Sequence, residues 1–461
     1  MTARSHRPAA ARTSPHASEP AKRAREAAAV WLRMAVLAAL TLASLPAQAQ
    51  IVIDVPGRAD IPLAAPRPQT PEGDPRRTAE EAWQTLLADL RLSGYFLVLD
   101  PAAYIERGGG VEPDTFEWSA WAPLRTAVLV KTRLLPPGNA ECDPTGQATC
   151  LDVFVYHAAG NTLLAKKRLR SSTDSARYLG HRAADMVLEA VTGQKGIFGS
   201  RIAAVSKQGG NKELMLVDID GKGVVSITRN GSINLSPSFA PDGGSVAWTS
   251  YKKGNPDVYV KELATGRTRV ISNKLGVNVS PSWSPDGTRI AVARTGEADS
   301  DIAVLDARTG ALLKQVTRGG GIDVSPDWSP DGSMLVFASE RSGGSQLYTY
   351  EMTSAALARI THTGDFNIDP VFSPDGSEIA FVSRETGGFD IYVIGADGRN
   401  IRRITQDAGD NEDPSWSPDG RYLVFSSTRN GRSEIWLSTA DGRHQAPVTR
   451  SGGWSQPTWA R

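Results

Sequence analysis

PSFAPDG (residues 237–243), PSWSPDG (281–287), PDWSPDG (326–332), PVFSPDG (370–376) and PSWSPDG (414–420) are near-copies of one another. The prolines before Asp-Gly are Pro241, Pro285, Pro330, Pro374 and Pro418, spaced by 44, 45, 44 and 44 residues. A further half-copy, Pro457-Thr458-Trp459, follows near the end of the chain. A fixed period of this length, with strands inside it, is the signature of a β-propeller.

One repeat, residues 365–407, shows how each blade is encoded. Residues 367–373 are extended and interrupted by Pro370. Ser373-Pro374-Asp375-Gly376 is a β-turn, in which proline presets φ and glycine takes the positive φ. Residues 378–383 (EIAFVS) read as a buried strand, residues 390–394 (DIYVI) as a third strand and residues 401–406 as a polar fourth strand for the outer edge. Second and third strands occur six times, third strands beginning at Glu213, Asp257, Asp301, Gln346, Asp390 and Glu434. First strands before a Pro-Asp-Gly turn occur five times, and the terminal residues 456–461 supply the sixth. The expected fold is an α+β amino-terminal domain followed by an all-β six-bladed propeller closed by the C-terminal strand. Its boundaries are 1–49 (secretion signal), 50–195 (α+β domain) and 196–461 (propeller).

Residues 1–33 are basic and rich in Ala, Arg, Ser and Pro. Residues 34–45 (MAVLAALTLASL) are apolar, and Ala47-Gln48-Ala49 is a small-x-small cleavage pattern. Together they read as a signal peptide with a long basic leader, too short to span a membrane. The formal charge of +1 falls to near −4 once residues 1–49 are removed, so nothing polybasic points to nucleic acid. An exported, monomeric, periplasmic protein without direct membrane insertion is expected. The only two cysteines, Cys142 and Cys150, flank Pro144 and Gly146, and in an exported chain they read as a disulfide staple.

Residues 50–195 lack the repeat. Residues 51–55 read as a β-type run and 56–77 as a Pro-rich loop. Residues 78–91 read as a helix capped by Thr78 with Glu81 as capping-box partner. Strands are expected at 95–99, 127–134, 151–157 and 163–170. A second helix is expected at 174–192 with Tyr178, His181, Ala184, Val187, Leu188 and Val191 on its apolar side, ended by Gly193. His181 has no partner nearby in sequence and reads as a packing or interdomain contact.

The chemistry that is absent narrows the function. A propeller joined to a hydrolase would carry a G-x-S-x-G elbow; neither this motif, a P-loop nor H-E-x-x-H occurs. The aspartate of each Pro-Asp-Gly turn could be a calcium ligand or an acid, but Asp and Gly are what such a turn selects. No catalytic residue, metal or cofactor is therefore assigned. Variation lies in the loops leading into the first strands (230–237, 275–281, 320–326, 365–370, 410–414 and 452–457). They carry Asn234, Asn278, Asp323, Asn367, Asp369, Asn411, Asp413 and Gln456, which would ring one mouth with short polar and acidic groups. Such a ring suits a protein or peptide with complementary donors, or serves to satisfy loop backbone groups.

QIVIDVPG (50–57), ARYLGHRAADMVLEAVTGQKGIFGSRIAAV (176–205) and the W-S-P-D-G blades together resemble the TolB family, periplasmic components of the Tol–Pal cell-envelope system. The resemblance implies a non-catalytic adaptor that maintains the outer membrane and aids division. It implies that the propeller mouth receives the lipoprotein Pal, with contacts carried over to Val277, Ser280 and Val324. It also implies that the mature N-terminal segment, Gln50, Ile51, Val52, Ile53, Asp54 and Val55, binds the C-terminal domain of TolA. The alternative is a propeller-containing hydrolase or a small-ligand-sensing propeller.

Overall fold

The computed structural model describes residues 60–70, 77–106, 109–172, 175–295, 299–384, 388–406 and 408–460. The expected signal peptide and the segment from Gln50 to Val55 lie outside these residues. All described residues belong to one compact unit.

The amino-terminal region is a five-stranded sheet with two helices on one face. Its elements are β1 (Ile61–Ala64), α1 (Thr78–Leu92), β2 (Phe96–Val98), β3 (Val128–Leu135), β4 (Ala148–His157), β5 (Thr162–Ser172) and α2 (Ala176–Thr192). The sheet order is β2-β1-β3-β4-β5, with β1 parallel to both neighbours and β3, β4 and β5 antiparallel. Strand β4 is buried on both faces: Leu151, Val153 and Val155 meet the helices, while Phe154 and Tyr156 join an aromatic cluster with Tyr104, Phe116 and Trp121. Cys142 and Cys150 form a disulfide, with Cα atoms 5.7 Å apart, tying the β3–β4 connection to β4.

Three local expectations need correction. Residues 61–64, read within a Pro-rich loop, form the interior strand β1, between β2 and β3. Pro62 forfeits one donor, but its carbonyl still accepts from Ala127 N at 2.9 Å and its neighbours keep their ladder bonds. Thr78 is the first helical residue and not the cap; the cap position is Arg77, left-handed at φ 53°. Tyr178 is exposed and not on the apolar side; its ring lies beneath Arg182, whose guanidinium donates to the Tyr178 hydroxyl at 2.7 Å.

Helices α1 and α2 cross closely at Gly180, where a Cβ would fall 2.5 Å from the Ala82 carbonyl oxygen. Gly193 ends α2 in the left-handed conformation, its N–H bonded to Glu189 O. Gly196 then passes over Asp185, whose carboxylate accepts from Phe198 N at 2.9 Å; a Cβ at residue 196 would lie 2.0 Å from that carboxylate.

Six four-stranded antiparallel sheets follow. Blade 1 contains β6 (Arg201–Gln208), β7 (Asn211–Asp218) and β8 (Val225–Ser226), and its inner strand is the C-terminal segment Trp454–Trp459, antiparallel to β6. The ring thus closes through the last strand, leaving no open inner edge in blade 1. The aromatic residue before each Pro-Asp-Gly turn, and Trp459 in the sixth copy, is buried; the hydrophobic clusters bridge successive blades. In the turns themselves Ser329 Oγ donates to Asp331 at 2.6 Å and Ser373 Oγ to Asp375 at 2.6 Å. The Ser329 hydroxyl, with the Ser333 N–H, holds the Asp331 carboxyl down to about 2. These aspartates are consumed by their turns.

Candidate functional site: the propeller channel and its mouth

The amino-terminal domain and the propeller share one hydrophobic cluster, in which Leu86, Leu90, Val187 and Leu188 of the helices join Ile202, Val217, Tyr422 and Leu437 of blades 1 and 6. Polar contacts reinforce it: Tyr422 Oη donates to Ser93 O at 3.0 Å and Arg421 to Gln194 at 2.9 Å. These contacts cluster at the Pro-Asp-Gly end of blades 6 and 1. The opposite end of the propeller, where the loops lead into the first strands, is therefore left open by the described residues of the domain.

At that open end, five of the six first strands carry a framework residue at or next to their first position. Asn234, Asn278, Asp323, Asn367 and Asn411 are all buried. Asn234 Oδ1 accepts from Trp248 Nε1 (3.0 Å) and Ser250 Oγ (2.7 Å), while Nδ2 donates to Lys212 O (2.9 Å) and Glu213 (3.2 Å). Asn411 bonds Asp390 and Arg429; Arg341 Nη2 donates to both carboxylate oxygens of Asp323, at 3.0 and 2.9 Å. The acids that open the third strands join this network, as where Thr405 Oγ1 donates to Asp390 at 2.6 Å. The expectation that these five side chains present themselves at the mouth is corrected: each is spent on framework bonds, Asn234, Asn278, Asn367 and Asn411 reaching Glu213, Ser272, Gln346 and Asp390 of the preceding blade and Asp323 held by Arg341 of its own, because a buried amide or carboxylate needs its partners.

Two residues further along, every blade does something that the sequence reading missed. Ser236, Ser280, Ser325, Asp369, Asp413 and Gln456 have φ between 50° and 55°, the left-handed region, and each precedes a proline. At the same point every first strand slips register against its neighbour in a β-bulge. All six line the central channel, together with Ser238, Ser282, Asp327, Val371, Ser415 and Thr458, around a cavity of about 170 Å³. The repeated pre-proline position was the available signal, but a residue before proline ordinarily reads as extended.

The channel is acidic on one side. Asp369, Asp413 and Asp327 come from blades 5, 6 and 4. Ser325 Oγ donates to Asp369 at 2.6 Å; Asp413 accepts from Ser426 Oγ (2.8 Å) and Gln456 N (3.1 Å); Asp327 accepts from Ser282 Oγ and Phe372 N, both at 2.9 Å. Burial raises Asp369, and burial with the Asp369 charge pushes Asp413 up to about 7. Glu412 is raised by burial and by Asp410 and Asp369. No lysine or arginine lines the channel among the described residues.

The remaining residues carried over from the family separate by depth. Val277 stands exposed on the rim. Ser280 is half-buried in the channel wall, its N–H donating to Thr249 Oγ1 at 3.2 Å. Val324 is half-buried against the cores on either side of blade 4.

His181 also finds a partner that its sequence neighbourhood hides. Its Nδ1 lies 2.6 Å from Asp89 of α1, 92 residues away, and its Nε2 faces Asp220 at 3.9 Å. Burial pushes Asp89 up to about 7 against the pull of His181. Burial opposes a charged His181, yet the hydrogen bond and charge of Asp89 raise it. His181, Asp218 and Asp220 approach one another like metal ligands. Arg177 already bridges both aspartates at 2.9 and 2.7 Å, making the group an ion-pair network between domain and propeller.

Comparisons with known proteins follow this geometry. Residues 188–461 match the family model for the TolB beta propeller domain, and residues 49–145 that for the TolB amino-terminal domain. The chain is 37% identical over 46% of its length to the Tol-Pal system protein TolB of Syntrophotalea carbinolica, covering 48% of that protein. It is 36% identical over 49% of its length to the protein of the same name from Anaeromyxobacter dehalogenans, covering 51% of it. The chain thus spans about half the length of the curated relatives it matches. The crystal structure of TolB from Acinetobacter baumannii aligns with a TM-score of 0.77 at 24% identity, over 87% of this chain and 97% of that one, and shares its fold.

Proposed function

Because the chain belongs to the TolB family, as its two domain matches establish, we propose that it is a non-catalytic periplasmic adaptor of the Tol–Pal system that maintains the outer membrane and aids division. Pal docks on the propeller mouth, over Val277, Ser280 and Val324, and addresses the channel bearing Asp369 and Asp413. The segment Gln50, Ile51, Val52, Ile53, Asp54 and Val55 pairs as an added strand with the C-terminal domain of TolA. The observation that supports this reading best is an acid-sided channel opening at the end of the propeller that the described residues of the amino-terminal domain leave uncovered. A small-ligand sensor fits less well, since ligand pockets commonly hold about 300–1,000 Å³ against about 170 Å³ here.

Calorimetry with Pal lacking its lipid anchor tests the mouth. Val277→Arg should weaken binding about tenfold or more, the effect of forcing a charge into an interface centre, and unchanged affinity removes the mouth from the account. Deleting residues 50–57 should abolish TolA binding while Pal still binds; intact TolA binding refutes the N-terminal assignment.

A further inference from the structure

A six-bladed ring poses a problem for any partner that docks on its axis: the backbone offers six nearly equivalent rotations. The exposed charges of the mouth break that equivalence. Blade 6 contributes Arg432 and, in the loop to blade 1, Arg450; blade 1 contributes Lys207 and, in the loop to blade 2, Arg229. Blade 2 adds Lys252 and Lys253, and the loop beyond it Lys274. All are exposed, and none forms an ion pair with another described residue. From Arg432 round to Lys274 the described acids Glu213, Asp257 and Glu434 are buried; Asp410, Glu412 and Asp413, on the entry loop and inner strand of blade 6, belong to the other half.

The other half is reversed. Asp299, Glu340, Asp365 and Asp410 stand in its loops, Glu412 lies beside them, and Asp327, Asp369 and Asp413 face the channel from the same blades. Of its cations, Arg341 is bound to Asp323, while Arg384 and Arg318 are exposed, Arg384 lying across Phe366 and Phe389 as Lys252 of blade 2 lies over Tyr259. Exposed apolar side chains, Ile233, Tyr251, Leu275 and Val277, sit among the cations of blade 2.

We propose that blades 1 and 2, with the loops of blade 6 that bear Arg432 and Arg450, form a cationic landing sector for an acidic flank of the protein that docks at the mouth, and that this polarity selects one of the six rotations. This rests on the reading of Pal as that protein. The chemistry favours a folded protein over an anionic bilayer. A bilayer covering the mouth would press the acidic half against its own negative headgroups and leave the channel unfilled, whereas a protein with a dipolar face meets both halves with opposite charge. Unpaired rim charges of this kind act mainly on encounter, through long-range steering.

The test is stopped-flow association with Pal lacking its lipid anchor, using Lys253→Glu/Lys274→Glu, whose exposed side chains form no hydrogen bond or ion pair with a described residue. The control, Arg308→Glu/Arg399→Glu, makes the same change in net charge on the opposite face. At about 20 mM salt the mouth variant should associate about tenfold more slowly than wild type and the control within about twofold. At about 500 mM salt the difference should collapse. A mouth variant no slower than the control overturns the landing sector while leaving Pal binding intact. Failure of the wild type to bind Pal overturns the underlying reading and the sector with it. Wild-type binding to phosphatidylglycerol-containing vesicles that the mouth variant loses, with Pal association unchanged, assigns the cations to a membrane and also overturns the proposal.

Discussion

Asn234 and Ser236 lie two residues apart on one strand, where ordinary pleating would send both side chains to the same face. They serve different parts of the molecule. Asn234 is buried and bonded to Trp248 and Ser250 of its own blade and to Lys212 and Glu213 of blade 1, tying the two blades together. Ser236 is turned by a left-handed backbone and a bulge into the channel. The same division recurs at Asn278 and Ser280, Asp323 and Ser325, Asn367 and Asp369, and Asn411 and Asp413. One position is paid out in framework bonds; the other is free to vary into serine, aspartate or glutamine, and that is where the channel acquires its acidic side.

The sharpest break of this comparison comes from truncating the framework member. Asn234→Ala strips the partner from Trp248 Nε1 and weakens the satisfaction of buried Glu213. It should destabilise by about 3 kcal/mol, measured by urea unfolding, while the folded fraction keeps its affinity for Pal. A loss below about 1 kcal/mol would mean that the buried ring is not framework.

At the neighbouring position the backbone should matter more than side-chain bonds. Ser280 sits at φ 52°, so Ser280→Val, β-branched in the left-handed region, should cost about 1–2 kcal/mol. Ser280→Gly should stay within about 0.5 kcal/mol, strain relief offsetting glycine's entropy. Equal effects of the two would remove strain from the explanation.

The acidic channel residue gives a pH signature. Asp413 is raised to about 7 in the folded protein, by burial and by Asp369. Folding therefore favours its protonated form, and that stabilisation, complete below the ordinary carboxylate range, is lost as pH rises through about 7. Asp413→Asn cannot ionise. It should be more stable than wild type by about 1 kcal/mol near pH 8, with the advantage shrinking as pH falls and vanishing below about pH 4. A constant difference across that range would place the effect in packing.

What could be read beforehand follows from how local each signal is. The blades, their number and the closing strand rest on turn chemistry and a 44-to-45-residue period, all visible along the chain. Strand β1 was hidden because Pro62 reads as a breaker, although a single lost donor is tolerable between two parallel neighbours. The five buried residues were located but misassigned, since their burial depends on partners from other strands, such as Glu213, 21 residues before Asn234. The pairing of His181 with Asp89 spans 92 residues and has no local signature. The left-handed ring was missed for a different reason: proline at the next position ordinarily argues for extended backbone.

Site-specific photo-cross-linking in intact cells tests most directly the claim that the open mouth is the Pal-binding face. A photoreactive amino acid is placed at Val277 on the rim or at Arg308 on the opposite face, and Pal is sought in the adducts. Capture of Pal from Val277 and not from Arg308 is the predicted result. Capture from Arg308 with none from Val277 would contradict it and move the site to the face bearing the Pro-Asp-Gly turns.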